Sequence, residues 1–343
     1  MINYSVNTSD VETPWSREGL RLAAELLRGG GLVAFATETV YGLGADALNP
    51  AAVAKIFAAK QRPAWDPLIV HIASYEMLSR VVTQISPQAR SLMRAFWPGP
   101  LTLLLPRTAA VQDAVTAGRP LVGVRWPQHP VAQALILAAD CPVAAPSANL
   151  FSHVSPTTAQ HVLADLNGRI DMLLDSGPTT LGLESAVVDP NTIPPTLYRP
   201  GTITTGQMEA IVGPVQLYRP PVALEPVALE KMQAQPSPGG DIRHYAPRAQ
   251  VLLVESEAAM QQTIALSSEK KIGVLLPQPW SAPESAVVFV WGDWNNPAQL
   301  AANLYAGLRT LDEQGCDRIV CPVPAASPEN QALRDRLYKS ARS

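Results

Sequence analysis

Seven prolines between Pro214 and Pro247 set the first constraint on this chain, because each removes a backbone donor and resists continuation of a helix or an inner strand. That stretch reads as an extended, semi-rigid linker, and the sequence on either side must supply its own regular elements. On the N-terminal side helical and strand-like segments alternate. From Pro14 to Arg28 apolar residues recur at helical spacing, and Gly29-Gly30-Gly31 ends the run as a helix C-cap does. LVAFAT should follow as a strand, a helix over Asn49 to Ala59, and LIVHI as a buried strand. Further strands are expected at LTLLLPR, LVGVRW, VAAP, MLLDSG and SAVVDP, with helices over Pro87 to Phe96, Pro130 to Ala139 and Thr157 to Leu166. A short helix at Gln207 to Val212 leads into the linker. After Arg248 the alternation resumes: strand VLLVE, helix 258–266, strands KIGVLLP and AVVFVW, helix 298–314, strand RIVCPVP and a last helix over Asn330 to Lys339.

This order predicts an α/β protein: a mixed-sheet domain over residues 1–206, a linker over 207–248, and a small Rossmann-like α/β domain over 249–343. The second domain lacks a G-x-G-x-x-G turn, so its fold implies no dinucleotide. At 343 residues, 47% hydrophobic and 16% charged, the chain has material for two globular cores. A net charge of −3 gives no global attraction to nucleic acid or to an anionic membrane, so any anion site must be local. The three cysteines are too scattered for a disulfide framework or a zinc site. No signal-peptide pattern opens the chain and no apolar run reaches bilayer length, so the cytoplasm is the expected location.

The candidate chemistry lies in short polar stretches at strand ends. In KQRPAWDPLIVH, residues 60–71, Lys60 and Arg62 stand where a helix ends, and Lys55 and Lys60 are the only lysines before residue 206. A lysine point charge beside an arginine fork suits phosphate oxygens, although cations at a helix C-terminus also complement its dipole. TETVYGLGAD, residues 37–46, sets Thr37, Glu38, Thr39 and Tyr41 at a strand end before glycines that permit a tight turn. APSANLFSHVSPT offers Ser147, Asn149 and Ser155 in a turn-rich loop. Arg125, inside the apolar strand VGVRW, requires an anion, either an internal carboxylate or one belonging to a substrate. Glu184, Ser185 and Arg199 lie at further strand ends, with Gly177, Gly182 and Gly201 nearby. SPGGDIRHYAP brings Arg243, His244 and Tyr245 into the linker. No nucleophile elbow, H-x-x-x-H spacing or P-loop occurs, and the five histidines do not cluster, so neither covalent nor metal catalysis is indicated.

Taken together, TETVYGLGAD, KQRPAWDPLIVHI, FWPGPLTLLL, VGVRWPQHP, APSAN, ESAVVD, YRPG and SPGGDIRHYAP resemble, in order and spacing, the long form of the threonylcarbamoyl-AMP synthase family. That form has a YrdC-type domain, a linker and a C-terminal domain. The resemblance implies that L-threonine, bicarbonate and ATP are joined into threonylcarbamoyl-AMP with release of diphosphate, magnesium travelling with the nucleotide. Other proteins then transfer the group to tRNA. By motif match it implies ATP-binding roles for Lys60, Arg62, Asp66, Leu121, Ser147, Asn149, Ser155, Arg199 and Tyr245, with Lys60 and Arg62 stabilising charge on the phosphates. It implies threonine-binding roles for Thr39, His71, Arg125, Ala145 and Ser185, Arg125 facing the carboxylate. SPGGDIRHYAP would be a lid. The chain departs from the family pattern at Ala36, at Ala186 in ESAVVD, and at Gly240, Asp241 and Ile242 in the lid. A YrdC-type face could instead hold double-stranded RNA. Fourteen basic against fifteen acidic residues in positions 1–205 give that reading little electrostatic support. The related carbamoyl-transferring hydrogenase-maturation enzymes carry zinc-finger cysteines, which three lone cysteines do not match.

Overall fold

The computed structural model describes residues 2–5, 14–219, 245–267 and 270–342. Its first part begins with β1 (Ile2–Ser5), α1 (Pro14–Arg28) and a hairpin of β2 (Val33–Ala36) and β3 (Tyr41–Asp46). Next come α2 (Pro50–Lys60), β4 (Ile69–His71), α3 (Tyr75–Val81), α4 (Pro87–Phe96), β5 (Leu101–Pro106), α5 (Asp113–Thr116), β6 (Leu121–Arg125), α6 (Pro130–Ala139) and β7 (Val143–Ala144). The part is completed by α7 (Ala159–Leu166), β8 (Met172–Asp175), β9 (Ala186–Asp189), β10 (Thr196–Arg199), α8 (Thr205–Val212) and β11 (Gln216–Leu217). Together these strands make one mixed sheet of eleven, ordered β1-β8-β2-β3-β7-β4-β6-β5-β9-β10-β11.

The second part contains β12 (Gln250–Val254), α9 (Glu257–Ala265), β13 (Ile272–Gln278), β14 (Val287–Asp293), α10 (Pro297–Glu313), β15 (Arg318–Pro322) and α11 (Gln331–Ser340). Its four strands pair in the order β12-β15-β13-β14, all parallel. The expected mixed and parallel α/β architectures are therefore both present. No helix among the described residues is long and apolar enough to cross a membrane.

Two local differences from the sequence reading matter for the site. YGLGAD is not a turn after a strand; it is β3 itself, antiparallel to β2. Gly44 serves close packing there, since a Cβ would lie 2.8 Å from the Phe35 ring and 2.9 Å from Val143. The chain reverses earlier, at Thr37–Val40, where the Thr37 hydroxyl accepts from the Thr39 amide (3.1 Å) and donates to the Val40 carbonyl (2.8 Å). In KQRPAWDPLIVH, α2 ends at Lys60 and Gln61 takes left-handed geometry (φ 53°), which turns Arg62 back over the helix end. The short elements β1, α3, α5 and β11 escape a periodicity reading because four to seven residues, or two, span too little of a repeat. Only α3 carries a usable signal, its Ser74 N-cap.

The apolar core of the second part does not end at the linker. Val40, Val154 and Leu183 from the first part share one buried cluster with Tyr245, Leu304, Tyr305 and Leu308. Gly182 (φ +70°) permits that approach: a Cβ there would lie 2.5 Å from the Ala302 carbonyl oxygen on α10.

Candidate active site

A cavity opens where β2 turns into β3, where β4 and β6 end, and where the loops after β7 and before β9 converge. Register fixes one wall. His71 on β4 pairs directly with Arg125 on β6, so their side chains leave the sheet side by side. Arg125 is 4% exposed. Its Nη1 donates to Thr39 Oγ1 (2.8 Å), Nε donates to the Gly99 carbonyl (3.3 Å), and Nη2 lies 2.6 Å from Glu38 Oε1. The anion that a buried guanidinium requires is thus internal, Glu38, while Arg125 still faces the cavity. Burial pushes the Glu38 carboxyl up, but Arg125 outweighs it and holds the group below the usual carboxylate range. His71 is driven down to about 3 by burial and by Arg125, so its ring is neutral, and its Nδ1 finds no hydrogen-bond partner among the described residues.

Arg62, Ser147, Ser185 and Arg199 also line the cavity. Arg62 donates from Nε to the Asp66 carbonyl (3.1 Å) and from Nη2 to the Pro67 carbonyl (2.7 Å), and pairs with Asp66 Oδ2 at 2.9 Å. These contacts lock its fork beside the cavity. Arg199, at the end of β10, donates to the Ser185 carbonyl (3.0 Å) and to Ser185 Oγ (3.2 Å). Thr102, on the neighbouring β5, hydrogen-bonds the same Ser185 hydroxyl at 2.8 Å. Ala145, just after β7, and Tyr245, from the linker, are part of the same lining.

Other expected site residues stand behind this surface. The sequence assigns Lys60 to phosphate; here its ammonium is buried and donates to the carbonyls of Ser147 and Asn149, both at 2.5 Å. Burial and then Arg62 lower its pKa, and its contacts shape the Ser147–Asn149 turn rather than reach into the cavity. Asn149 donates to the Leu150 and His153 carbonyls (2.8 and 2.9 Å). Asp66 is engaged with Arg62, and Ser155 donates to Glu184 Oε1 at 2.6 Å. Leu121 begins β6, four residues and about 13 Å along the strand from Arg125, and does not line the cavity. Tyr41 turns away to the Gly177 carbonyl (2.7 Å). Of the expected lid, Arg243, His244 and Asp241 lie outside the described residues.

The sequence assigns no role to three functional neighbours. Thr102 has a legible signal, a lone hydroxyl in the apolar run LTLLL. Tyr305 and Arg336 have none, because both come from the second part: Tyr305 OH donates to Glu184 Oε2 (3.0 Å) and Arg336 Nε to the same oxygen (2.8 Å). Burial raises the Glu184 carboxyl, but Arg336 and Arg199 overcome this and hold it at about 2. Lys60, Arg62, Arg125 and Arg199 are each 9% exposed or less, so these cations cannot form the open stripe that duplex RNA requires. They suit a small anionic ligand enclosed by protein.

Comparison with known proteins fits this geometry. A family profile described as "Telomere recombination" matches residues 25–201, and one described as "Threonylcarbamoyl-AMP synthase, C-terminal domain" matches residues 203–342. The threonylcarbamoyl-AMP synthase of Pyrococcus abyssi is 41% identical over 329 residues, 94% of each chain. That of Bacillus subtilis is 41% identical over 325 residues, 93% of this chain and 92% of its own. The crystal structure of P. abyssi Sua5 complexed with L-threonine superposes with a TM-score of 0.90 at 39% identity, covering 99% of this chain and 98% of that one. With both profiles matched in order and the relatives covered nearly end to end, the chain belongs to the threonylcarbamoyl-AMP synthase family.

Proposed function

We propose that this protein condenses L-threonine, bicarbonate and ATP into threonylcarbamoyl-AMP and diphosphate, with the cavity between Arg125 and Arg199 as the reaction chamber. The observation that carries the reading is the convergence of two arginine-bearing walls, one beside a neutral histidine and the other beside serines, in a chain that matches the family along its length. Arg125 takes the threonine carboxylate, sharing its guanidinium with Glu38 and Thr39. His71, neutral at physiological pH, meets the amino acid through hydrogen bonds rather than charge. Ser185 and Ala145, which line the same cavity, complete the amino-acid pocket.

Arg62 and Arg199 face the nucleotide phosphates, and Ser147 lines the same cavity. Lys60, Asp66 and Asn149 act one layer back by fixing Arg62 and the Ser147 turn. The threonine amine attacks the carbon of bicarbonate and water leaves, giving N-carboxythreonine. Its carbamate oxygen attacks the α-phosphorus, the bond to the bridging oxygen of the β-phosphate breaks, and diphosphate leaves with that electron pair. Such a step needs alignment and compensation of charge on the leaving group, which fixed guanidinium forks supply without a protein nucleophile. The carboxylates on the nucleotide side, Asp66 and Glu184, are committed to Arg62 and Arg336, so magnesium would be held mainly by the phosphates and water.

The cavity volume is about 60 Å3, and Tyr245 is part of its lining. Tyr245 over the bound substrates would keep water from a carbamate and a mixed anhydride that both hydrolyse. In this reading residues 1–206 are catalytic, 207–248 carry the lid, and 249–343 form the C-terminal domain. The product passes to transfer proteins acting on tRNA in the cytoplasm. The test is diphosphate release by purified protein: it is expected only when threonine, bicarbonate and ATP are all present. Release that is indifferent to threonine would overturn the proposal.

A further inference from the structure

We propose that Arg336, on α11 of the second part, is a positioning residue for the nucleotide side of the active site, so that the C-terminal domain forms one of its supporting walls. The guanidinium is fully buried and reaches across to three elements that frame the cavity. Its Nε donates to Glu184 Oε2 at 2.8 Å, its Nη2 donates to the Pro200 carbonyl at 3.1 Å, and its Cζ lies over the Tyr245 ring, 5.2 Å from the ring centre. Nη1 pairs with Asp335, which Lys339 on the same helix also holds, at 3.0 Å.

Each contact leads to a cavity residue in one step. Glu184 accepts from Ser155 through its other oxygen and precedes Ser185. Pro200 follows Arg199, whose guanidinium is fixed on Ser185. Tyr245 lines the cavity and stacks on Tyr305 at 5.6 Å, and Tyr305 hydrogen-bonds Glu184 in turn. A single fork thus ties the start of β9, the end of β10 and the linker at Tyr245 to one point. A structural ion pair would need only Glu184. The additional carbonyl and ring contacts fix directions, which is what Arg199 and Tyr245 require to meet a phosphate and a nucleotide.

The inference rests on the proposed use of ATP at this site, and its test separates the two. ATP affinity is measured by calorimetry and threonine-dependent diphosphate release by steady-state kinetics, for wild type, Arg336→Met, Arg336→Lys and Tyr305→Phe. Arg336→Met is expected to weaken ATP binding and raise the ATP KM by about tenfold or more, with the threonine KM within about threefold. Left without its nearest cation, the buried Glu184 would also gain protons within the working range, adding an acid limb to the ATP kcat/KM profile that wild type lacks. Arg336→Lys keeps a cation near Glu184 and should remove that limb while recovering only part of the ATP affinity, because it lacks the fork. Tyr305→Phe should give a smaller loss of ATP affinity in the same direction. ATP affinity and pH profile unchanged in all three variants, with kcat falling only as folded protein is lost, would overturn the positioning role. Should Arg336→Met fail to fold, unchanged ATP binding in both Arg336→Lys and Tyr305→Phe would overturn it equally. Wild type that binds ATP but releases no threonine-dependent diphosphate would refute the proposed reaction and leave the positioning role to be judged on ATP affinity.

Discussion

Replacing Glu38 by Gln tests the amino-acid wall of the site most directly. The Glu38 and Arg125 side chains are 8% and 5% exposed and 2.6 Å apart, so solvent screens them little. Removing one partner of a buried pair costs about 3–5 kcal/mol, because the other charge is left uncompensated. Glutamine keeps the volume and one carbonyl, and Arg125 keeps Thr39 and the Gly99 carbonyl, so about 3 kcal/mol is the expected loss. At roughly 2–4 °C per kcal/mol for a unit the size of residues 1–206, the melting midpoint of that part should fall by about 6–12 °C. L-Threonine should then restore more stability to the variant than to wild type, since its carboxylate supplies the charge that Glu38 no longer gives. A tenfold gain in affinity would add about 1.4 kcal/mol at saturating threonine. The pH dependence has a definite sign. Glu38 has a lowered pKa in the folded protein, so its contribution is complete above the unfolded value of ~4.3 and is lost as pH falls through the folded value. Glu38→Gln should lack that part of the acid transition. Thermal melts with and without threonine, from about pH 3 to about pH 7, measure all three effects. A loss below about 1 kcal/mol, or equal protection of both proteins by threonine, would refute the account of Arg125 as a shared anion ligand.

Four other outcomes follow from the same geometry. Arg62→Ala is expected to raise the ATP KM chiefly and Arg125→Ala the threonine KM chiefly; equal loss of both substrates in both variants would contradict the division of the walls. Lys60→Met should lower stability by about 1–3 kcal/mol by stranding the Ser147 and Asn149 carbonyls, and urea melts check the size. Gly182→Ala should cost about 2–5 kcal/mol, from left-handed backbone and a Cβ driven 2.5 Å from the Ala302 oxygen, read as a lower urea midpoint. Tyr245→Ala should leave threonine binding near wild type while raising ATP hydrolysis not coupled to product, measured as the ratio of diphosphate to threonylcarbamoyl-AMP.

Much of the fold is legible in the sequence because it is repetitive. Pro87–Phe96 and Pro130–Ala139 are bounded correctly since a proline at the first helical turn marks each start. The β3 hairpin is misread because glycine carries two meanings. In isolation Gly42 and Gly44 look like turn residues, and only Phe35 and Val143 pressing on Gly44 make it a packing glycine. The site shows the same limit. The motifs name the residues, but not which of them face the cavity: Lys60 and Arg62 are two apart in sequence, yet one ends on backbone carbonyls and the other lines the chamber.

The α/β alternation, the proline-rich divide and the identity of the polar residues at strand ends can be read along the chain, because each is written in local spacing and side-chain chemistry. Tertiary structure alone decided the partners. Glu38 lies 87 positions from Arg125, and Glu184 lies 152 from Arg336, and no local rule links such pairs. They meet because sheet register and the packing of α10 against Gly182 bring separate segments within hydrogen-bond reach, and burial then makes each charge depend on the one it finds.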